Sequence, residues 1–422
     1  MKQKQAIFQS HHLNKEANPH YNDYATAVQK VKNILQEQTG LHFKLYQSDM
    51  EMDQVFEAAE QMIMQNDSDI VHICSIYDNV SVATFRYTVV ENYTVQPSIE
   101  NNIFYFPKFD VALVKMPIYQ SHEDFEENFL FASDDQSLLK FLNYLLEKQR
   151  QAMLKGISVF TDTDDGLIKT REKITQQIHR EDVLLEENIK TDIFRSIDEF
   201  FLKSGAFFRE YDIPYKRGIL LYGSPGNGKT TLVKSIAGSV AAPTVYWQIT
   251  ENTSSYSIQE VFSTVTKMAP MVLVIEDIES MPDYARSAFL NALDGATSKE
   301  GIFLIGTTNY PEKIDPALIN RAGRFDRAYE IKQPNDDLRK SYLHNKGLEK
   351  FLDMNQMELL VKKTKGLSIS QLNEVYMSIA LQWHYDQEIQ IEKIVDDLLE
   401  NQRKTKKQDW DLDEENIGRV GF

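Results

Sequence analysis

The apolar positions of this chain follow two different periods. Val28, Val31, Ile34 and Leu35, and later Leu138, Phe141, Leu142 and Leu145, keep the spacing that gives a helix one buried stripe. Between them, Ile70–Ile76 and Val80–Val90 are rich in β-formers, with Tyr77-Asp78-Asn79 as a turn. Ile103–Tyr119 adds strand-like segments broken by Pro107 and Pro117. Together these predict an α+β domain. Gly156–Phe160 and the Thr/Asp-rich run that follows it, to about residue 178, read as a joint.

Beyond the joint the pattern changes. A helix is predicted from about Glu186, with Ile193, Phe194, Ile197, Phe200 and Phe201 as its apolar stripe. Ile219–Tyr222, Thr244–Ile249, Met271–Ile275 and Ile302–Gly306 are short, continuous apolar runs set between helical stretches. Strands alternating with helices predict a doubly wound parallel sheet, with ligands bound at the carboxyl ends of its strands. From about Gln333 the pattern turns helical, including Leu372, Val375, Tyr376 and Ile379. The predicted division is an α+β N-terminal domain over 1–178, an α/β core over 179–332, a small helical lid over 333–400 and a charged tail over 401–422.

Composition narrows the picture. With 46 basic and 63 acidic residues among 422, the formal net charge is −17, which argues against nucleic acid as a general partner. One cysteine, Cys74, excludes an intramolecular disulfide, and its apolar surroundings predict a buried structural thiol. No run approaches the roughly 20 apolar residues of a membrane span, and Met1–Gln5 lacks the apolar segment of a signal peptide. A cytoplasmic protein is expected. His11, His12 and His20 lie in a polar stretch without acidic or cysteine partners, so they read as solvated rather than metal-binding.

The candidate chemistry starts at Gly223. Gly223, Ser224, Pro225, Gly226, Asn227, Gly228, Lys229 and Thr230 fit G-x-x-x-x-G-K-[ST] after a short strand, with Thr231–Ala237 reading as the helix that follows. Glycines let the backbone wrap an anion, and successive N–H groups together with the helix N-terminus cradle it. Lys229 would reach the β- and γ-phosphates of ATP, and the Thr230 hydroxyl would take a position on Mg²⁺, beside Thr231. Further on, Val272–Ile275 ends in two acids, Glu276 and Asp277. A phosphate-loop ATPase needs carboxylates there, one for the Mg²⁺ shell and one to orient the attacking water. By position these are Glu276 and Asp277 respectively.

Ile305-Gly306-Thr307-Thr308-Asn309 and the segment Asp315–Arg327 complete the set. With them the chain, over about Arg180–Leu381, resembles the AAA ATPases. The resemblance implies that Asn309 helps position water and γ-phosphate. It also implies that Arg321 and Arg324 are arginine fingers reaching the ATP of a neighbouring subunit, hence a closed homo-oligomeric ring, a hexamer in that family. Arg327 reads better as a surface ion pair. Ile213–Gly223, Glu276–Glu279 and Leu290–Gly295 look most like the branch typified by the mitochondrial AAA protein that moves the folded Rieske iron–sulfur subunit across a membrane.

Three departures from the family pattern stand out. The acid pair is Glu-Asp, an order shared with that branch, where most of the family has Asp-Glu. Asn320 is an extra residue in the arginine segment. No aromatic–glycine pore loop lies between Gln248 and Gln259, where Tyr256 is the sole aromatic and reads equally as a packed one. The leading expectation is an ATP-driven chaperone or protein-remodelling ring, with the N-terminal domain binding protein clients. A protease subunit is disfavoured by the lack of a His-Glu-x-x-His segment, and a DNA-directed motor by the acidic balance. An ATP-binding switch without turnover remains the alternative.

Overall fold

In the computed structural model, residues 19–47, 52–64, 69–78, 80–81, 83–88, 92–119, 124–172, 178–295, 300–319 and 324–407 are described. The chain divides into two units, Met1–Gln151 and Ala152–Phe422.

The first unit contains α1 (Pro19–Thr39), β1 (Lys44–Tyr46), α2 (Met52–Met64), β2 (Val71–Ser75), β3 (Ala83–Thr88) and β4 (Asn92–Pro97). It continues with β5 (Asn102–Phe106), β6 (Val111–Tyr119), β7 (Asp124–Ala132) and α3 (Asp135–Met153). Five strands form an antiparallel sheet in the order β1-β7-β6-β5-β2, and β3 with β4 makes a separate hairpin. Alternation along the strands fills both faces of the larger sheet. Phe104, Phe106, Leu113 and Leu130 pack with Phe56 and Met62 of α2 and with Phe141 and Leu145 of α3. Ile103, Tyr105, Val114, Phe129 and Phe131 face Val31 and Leu35 of α1. Cys74 is half-buried, and burial pushes its thiol up.

The second unit opens with β8 (Ile157–Thr163), β9 (Gly166–Glu172), α4 (Glu187–Phe201), α5 (Ala206–Glu210), β10 (Lys216–Tyr222) and α6 (Lys229–Ser239). Then come β11 (Thr244–Gln248), α7 (Ser255–Lys267), β12 (Met271–Glu276), α8 (Asp283–Gly295), β13 (Ile302–Thr308) and β14 (Arg327–Glu330). Their sheet has the order β14-β10-β13-β12-β11-β8-β9, parallel throughout except for the β8–β9 pair. Val272, Leu273, Val274 and Ile275 are all fully buried, as a parallel strand covered on both faces requires. One face packs Ile219, Val274 and Ile305 against Ile193, Ile197 and Phe200 of α4 and Leu232 and Ile236 of α6. On the other, Trp247 meets Phe262 of α7 and Phe289 of α8. A helical lid follows: α9 (Asp336–Asn345), α10 (Met354–Lys363), α11 (Ile369–Asp386) and α12 (Ile391–Lys407), around Leu343, Leu360, Leu372 and Val395. No helix among the described residues is long and apolar enough to cross a membrane.

Two boundaries differ from the sequence reading. Residues 157–172 are not a joint: β8 and β9 are the edge of the parallel sheet, and the division falls near 151 rather than 178. Also, α12 continues to Lys407, so its last turns lie within the stretch read as tail.

Buried polar residues explain why β8 was hidden. On it Ser158, Phe160 and Asp162 point inward. The Asp162 carboxylate accepts the Trp247 Nε1–H at 2.9 Å and the Thr253 hydroxyl at 2.6 Å, while its carbonyl accepts the Thr250 hydroxyl at 3.0 Å. Asp162→Ala would strand a buried indole N–H and a hydroxyl and leave a void. It should lower stability by about 2–4 kcal/mol. Denaturant unfolding checks this: a midpoint unchanged from wild type would mean that the Asp162 cluster does not stabilise the edge of the sheet.

Candidate active site

At the end of β10 the chain turns through Gly223, Gly226 and Gly228, which hold φ of 140°, 78° and 96°. A side chain at Gly223 would also meet the Ile331 carbonyl oxygen at 2.4 Å, so only glycine serves there. Gly228 caps α6, whose first N–H groups lie beside the loop with the positive end of the helix dipole. Lys229, buried at the start of α6, donates to the Gly223 carbonyl at 2.5 Å and the Ser224 carbonyl at 3.2 Å. Asn227 is buried too, and its amide donates to the Ser224 carbonyl at 3.2 Å.

Two strands away, β12 ends at Glu276, and Asp277 adopts the left-handed conformation (φ 54°, ψ 49°). That turn leads into a single 3₁₀ turn, Ile278–Ser280, and carries Glu279 to the exit of β13. There Glu279 Oε1 accepts the Asn309 backbone N–H at 3.0 Å.

These groups meet at one cavity of about 300 Å³. The loop and α6 line it with Pro225, Gly226, Gly228, Lys229, Thr230 and Thr231. Glu276, Asp277, Thr307 and Asn309 come from the strand ends, and Ile369 and Ser370 from the start of α11. Ser370 ties lid to loop, donating its N–H at 3.0 Å and its hydroxyl at 3.3 Å to the Gly226 carbonyl.

The electrostatics are those of crowded acids beside a buried cation. Burial pushes the Glu276 carboxyl up, Asp277 adds to this, and Lys234 opposes it. Burial also raises Asp277, with Glu279 adding and Lys229 opposing. The Lys229 ammonium is lowered by burial against the pull of Glu279 and Asp277. Among the described residues, no group of three or more His, Cys, Asp or Glu could hold a metal ion alone. What the wall offers is the exposed Thr230 hydroxyl and two mutually repelling carboxylates. This donor set fits a Mg²⁺ that keeps several waters and takes its remaining ligands from phosphates.

Two of the three arginines lie within the described residues. Arg324 is only 3% exposed, and its guanidinium grips the Asp294 carboxylate of its own chain at 3.0 and 2.8 Å and donates to the Ala317 carbonyl. This bidentate pairing engages the guanidinium donors within the chain. Arg321 lies outside the described residues. Arg327 forms the expected exposed pair, 3.7 Å from Asp192. Gly218 explains the placement of this segment: a side chain there would sit 1.7 Å from the Arg324 carbonyl oxygen, and its N–H donates to Asp326 Oδ2 at 3.0 Å. Tyr256, which could have been packed, is 73% exposed at the start of α7.

Sequence reasoning missed Glu279, Ile369 and Ser370. Glu279 was detectable as a third acid within one turn of the apolar strand. The lid residues lie about 140 positions beyond the loop in sequence, and only the fold brings them there.

Residues 219–333 match the family described as ATPase family associated with various cellular activities (AAA). The chain is 30% identical over 255 residues to an ATP-dependent zinc metalloprotease FtsH of Endomicrobium trichonymphae, covering 54% of this chain and 40% of that protein. It is 29% identical over 272 residues to the proteasome-activating nucleotidase of Saccharolobus solfataricus, covering 58% of this chain and 67% of the relative. A cell division cycle protein 48 homolog of Archaeoglobus fulgidus is 28% identical over 272 residues, covering 58% and 37%. The match thus spans less than half of the FtsH and division-cycle relatives. The site and these likenesses agree: residues 219–333 are similar to the ATPase domain of the AAA family.

Proposed function

We propose that the chain hydrolyses Mg-ATP and uses the cycle to remodel or chaperone other proteins as a closed homo-oligomeric ring, a hexamer. One observation carries the reading. The phosphate loop with Lys229, the acid pair of β12 and Asn309 of the intervening strand's exit all border one cavity. Phosphoryl transfer to water needs that combination of cradle, charge and water-orienting groups.

In this reading Lys229 exchanges the Gly223 and Ser224 carbonyls for the β- and γ-phosphates. Thr230 and Glu276 would hold the shell of a Mg²⁺, which would supply charge neutralisation at the phosphoryl oxygens. Asp277 and Asn309 orient the water. Its oxygen attacks the γ-phosphorus while the bond to the ADP oxygen breaks, and Asp277, its carboxyl raised by burial, takes the proton.

Protein clients are supported by the names of two relatives, a metalloprotease and a proteasome-activating nucleotidase, and the net charge of −17 disfavours nucleic acid. The N-terminal unit is the proposed client-binding part, since Phe85, Tyr93 and Val95 on the β3–β4 hairpin are 74%, 69% and 77% exposed. Among AAA branches, the Glu-Asp order favours the one typified by the mitochondrial Rieske-protein translocase.

The ring is tested through Arg321. If this arginine acts on a neighbour's ATP, Arg321→Ala should keep ATP affinity while turnover falls on the order of a thousandfold. Turnover per chain of the wild type should also rise steeply with concentration. A dilute monomer as active as the assembled protein would exclude the trans-acting role.

A further inference from the structure

Glu279 is a third acid, on the 3₁₀ turn just behind the cavity wall formed by Asp277 and Asn309, and the reaction as described does not use it. Its Oε1 holds the Asn309 N–H at 3.0 Å, while its Oε2 is buried without a partner. Leaving a carboxylate oxygen buried and unpaired is costly, and an apolar side chain would fill the space more cheaply. Costs of this kind collect at functional sites. The geometry gives the reason. Asp277 opens the 3₁₀ turn, the Ser280 N–H closes it on the Asp277 carbonyl at 2.8 Å, and Glu279 stands between them. One short turn of β12's exit therefore fastens Asp277 to the exit of β13, where Asn309 borders the cavity.

We propose that Glu279 is a positioning residue: through the Asn309 backbone it fixes the spacing between the two water-orienting groups, Asp277 and Asn309. The inference rests on the hydrolytic reading of the same site. Glu279 need touch neither ATP nor water, because its effect passes through Asn309. A displacement of about 1 Å between groups that must share one water costs on the order of a hundredfold in rate.

The test is a double-mutant cycle on the full chain, with ATP affinity and turnover measured separately. Glu279→Ala should keep ATP affinity within about threefold and lower turnover by tenfold to a hundredfold, on the order that such misplacement allows. In an Asn309→Ala background the same change should have almost no further effect. Glu279→Gln keeps a carbonyl acceptor for the Asn309 N–H and should restore most of the turnover. Equal activity of Glu279→Ala and wild type, full additivity with Asn309→Ala, or a glutamine variant as slow as the alanine one each overturns the proposal. Amide exchange over residues 307–310 needs no turnover: faster exchange at Asn309 in Glu279→Ala, but not in Glu279→Gln, is expected, and unchanged exchange in both overturns the link. An inactive wild type with that exchange pattern would sink the hydrolytic reading while leaving the Glu279–Asn309 link standing.

Discussion

Lys229→Ala should abolish measurable nucleotide binding. Lys229 is buried at the start of α6 and is the one ammonium in the loop, held where two carbonyls already converge on it. Phosphate oxygens would replace those carbonyls, and each charge-assisted hydrogen bond is worth about 1.5–3 kcal/mol. Losing two of them weakens binding by about a hundredfold to ten-thousandfold, at about 1.4 kcal/mol per tenfold. The crowded acids add to the loss. With the ammonium gone, Asp277 and Glu279 face an incoming polyphosphate with one opposing charge fewer. Titration with a fluorescent ATP analogue measures this directly, and wild-type-like affinity in the variant would refute the phosphate-loop assignment.

The second large effect separates the two acids. Asp277→Asn should bind Mg-ATP at least as well as wild type, because one of two repelling, half-buried charges is removed, but turnover should stop. Glu276→Gln should instead weaken binding and its Mg²⁺ dependence together. The neighbourhood supports this order: Lys229 lies within electrostatic reach of Asp277 and Glu279, whereas Lys234 is the cation that acts on Glu276. Aspartate is one methylene shorter than glutamate, so the left-handed turn at Asp277 and the clamp at Glu279 must deliver the carboxylate to the water. Slower turnover than in Asp-Glu relatives is expected. If Glu276→Gln traps ATP while Asp277→Asn loses the metal, the roles follow residue type rather than position.

Where local pattern and final burial agree, the fold was legible. Val272–Ile275 reads as a buried strand and is one, and the Gly-rich loop stands between strand and helix as its spacing requires. The β8–β9 hairpin was not legible, because its inward positions include Ser158 and Asp162 and its outer strand is mostly exposed at the edge of the sheet. Polar residues whose partners, Trp247 and Thr253, lie more than 80 positions away imitate a linker. Arg324 shows the converse limit. Its motif gives no sign of Asp294, 30 positions earlier, which the fold places 2.8 Å from the guanidinium while Gly218 lies against the Arg324 carbonyl.

Phosphate release from Mg-ATP, followed with nucleotide occupancy in the same sample, tests hydrolysis at this cavity most directly. Purified wild-type protein should release phosphate in a Mg²⁺-dependent way, and Asp277→Asn should be fully occupied by ATP yet release none. Wild-type protein that fills with ATP but releases no phosphate, or an Asp277→Asn variant that turns over at the wild-type rate, would contradict it.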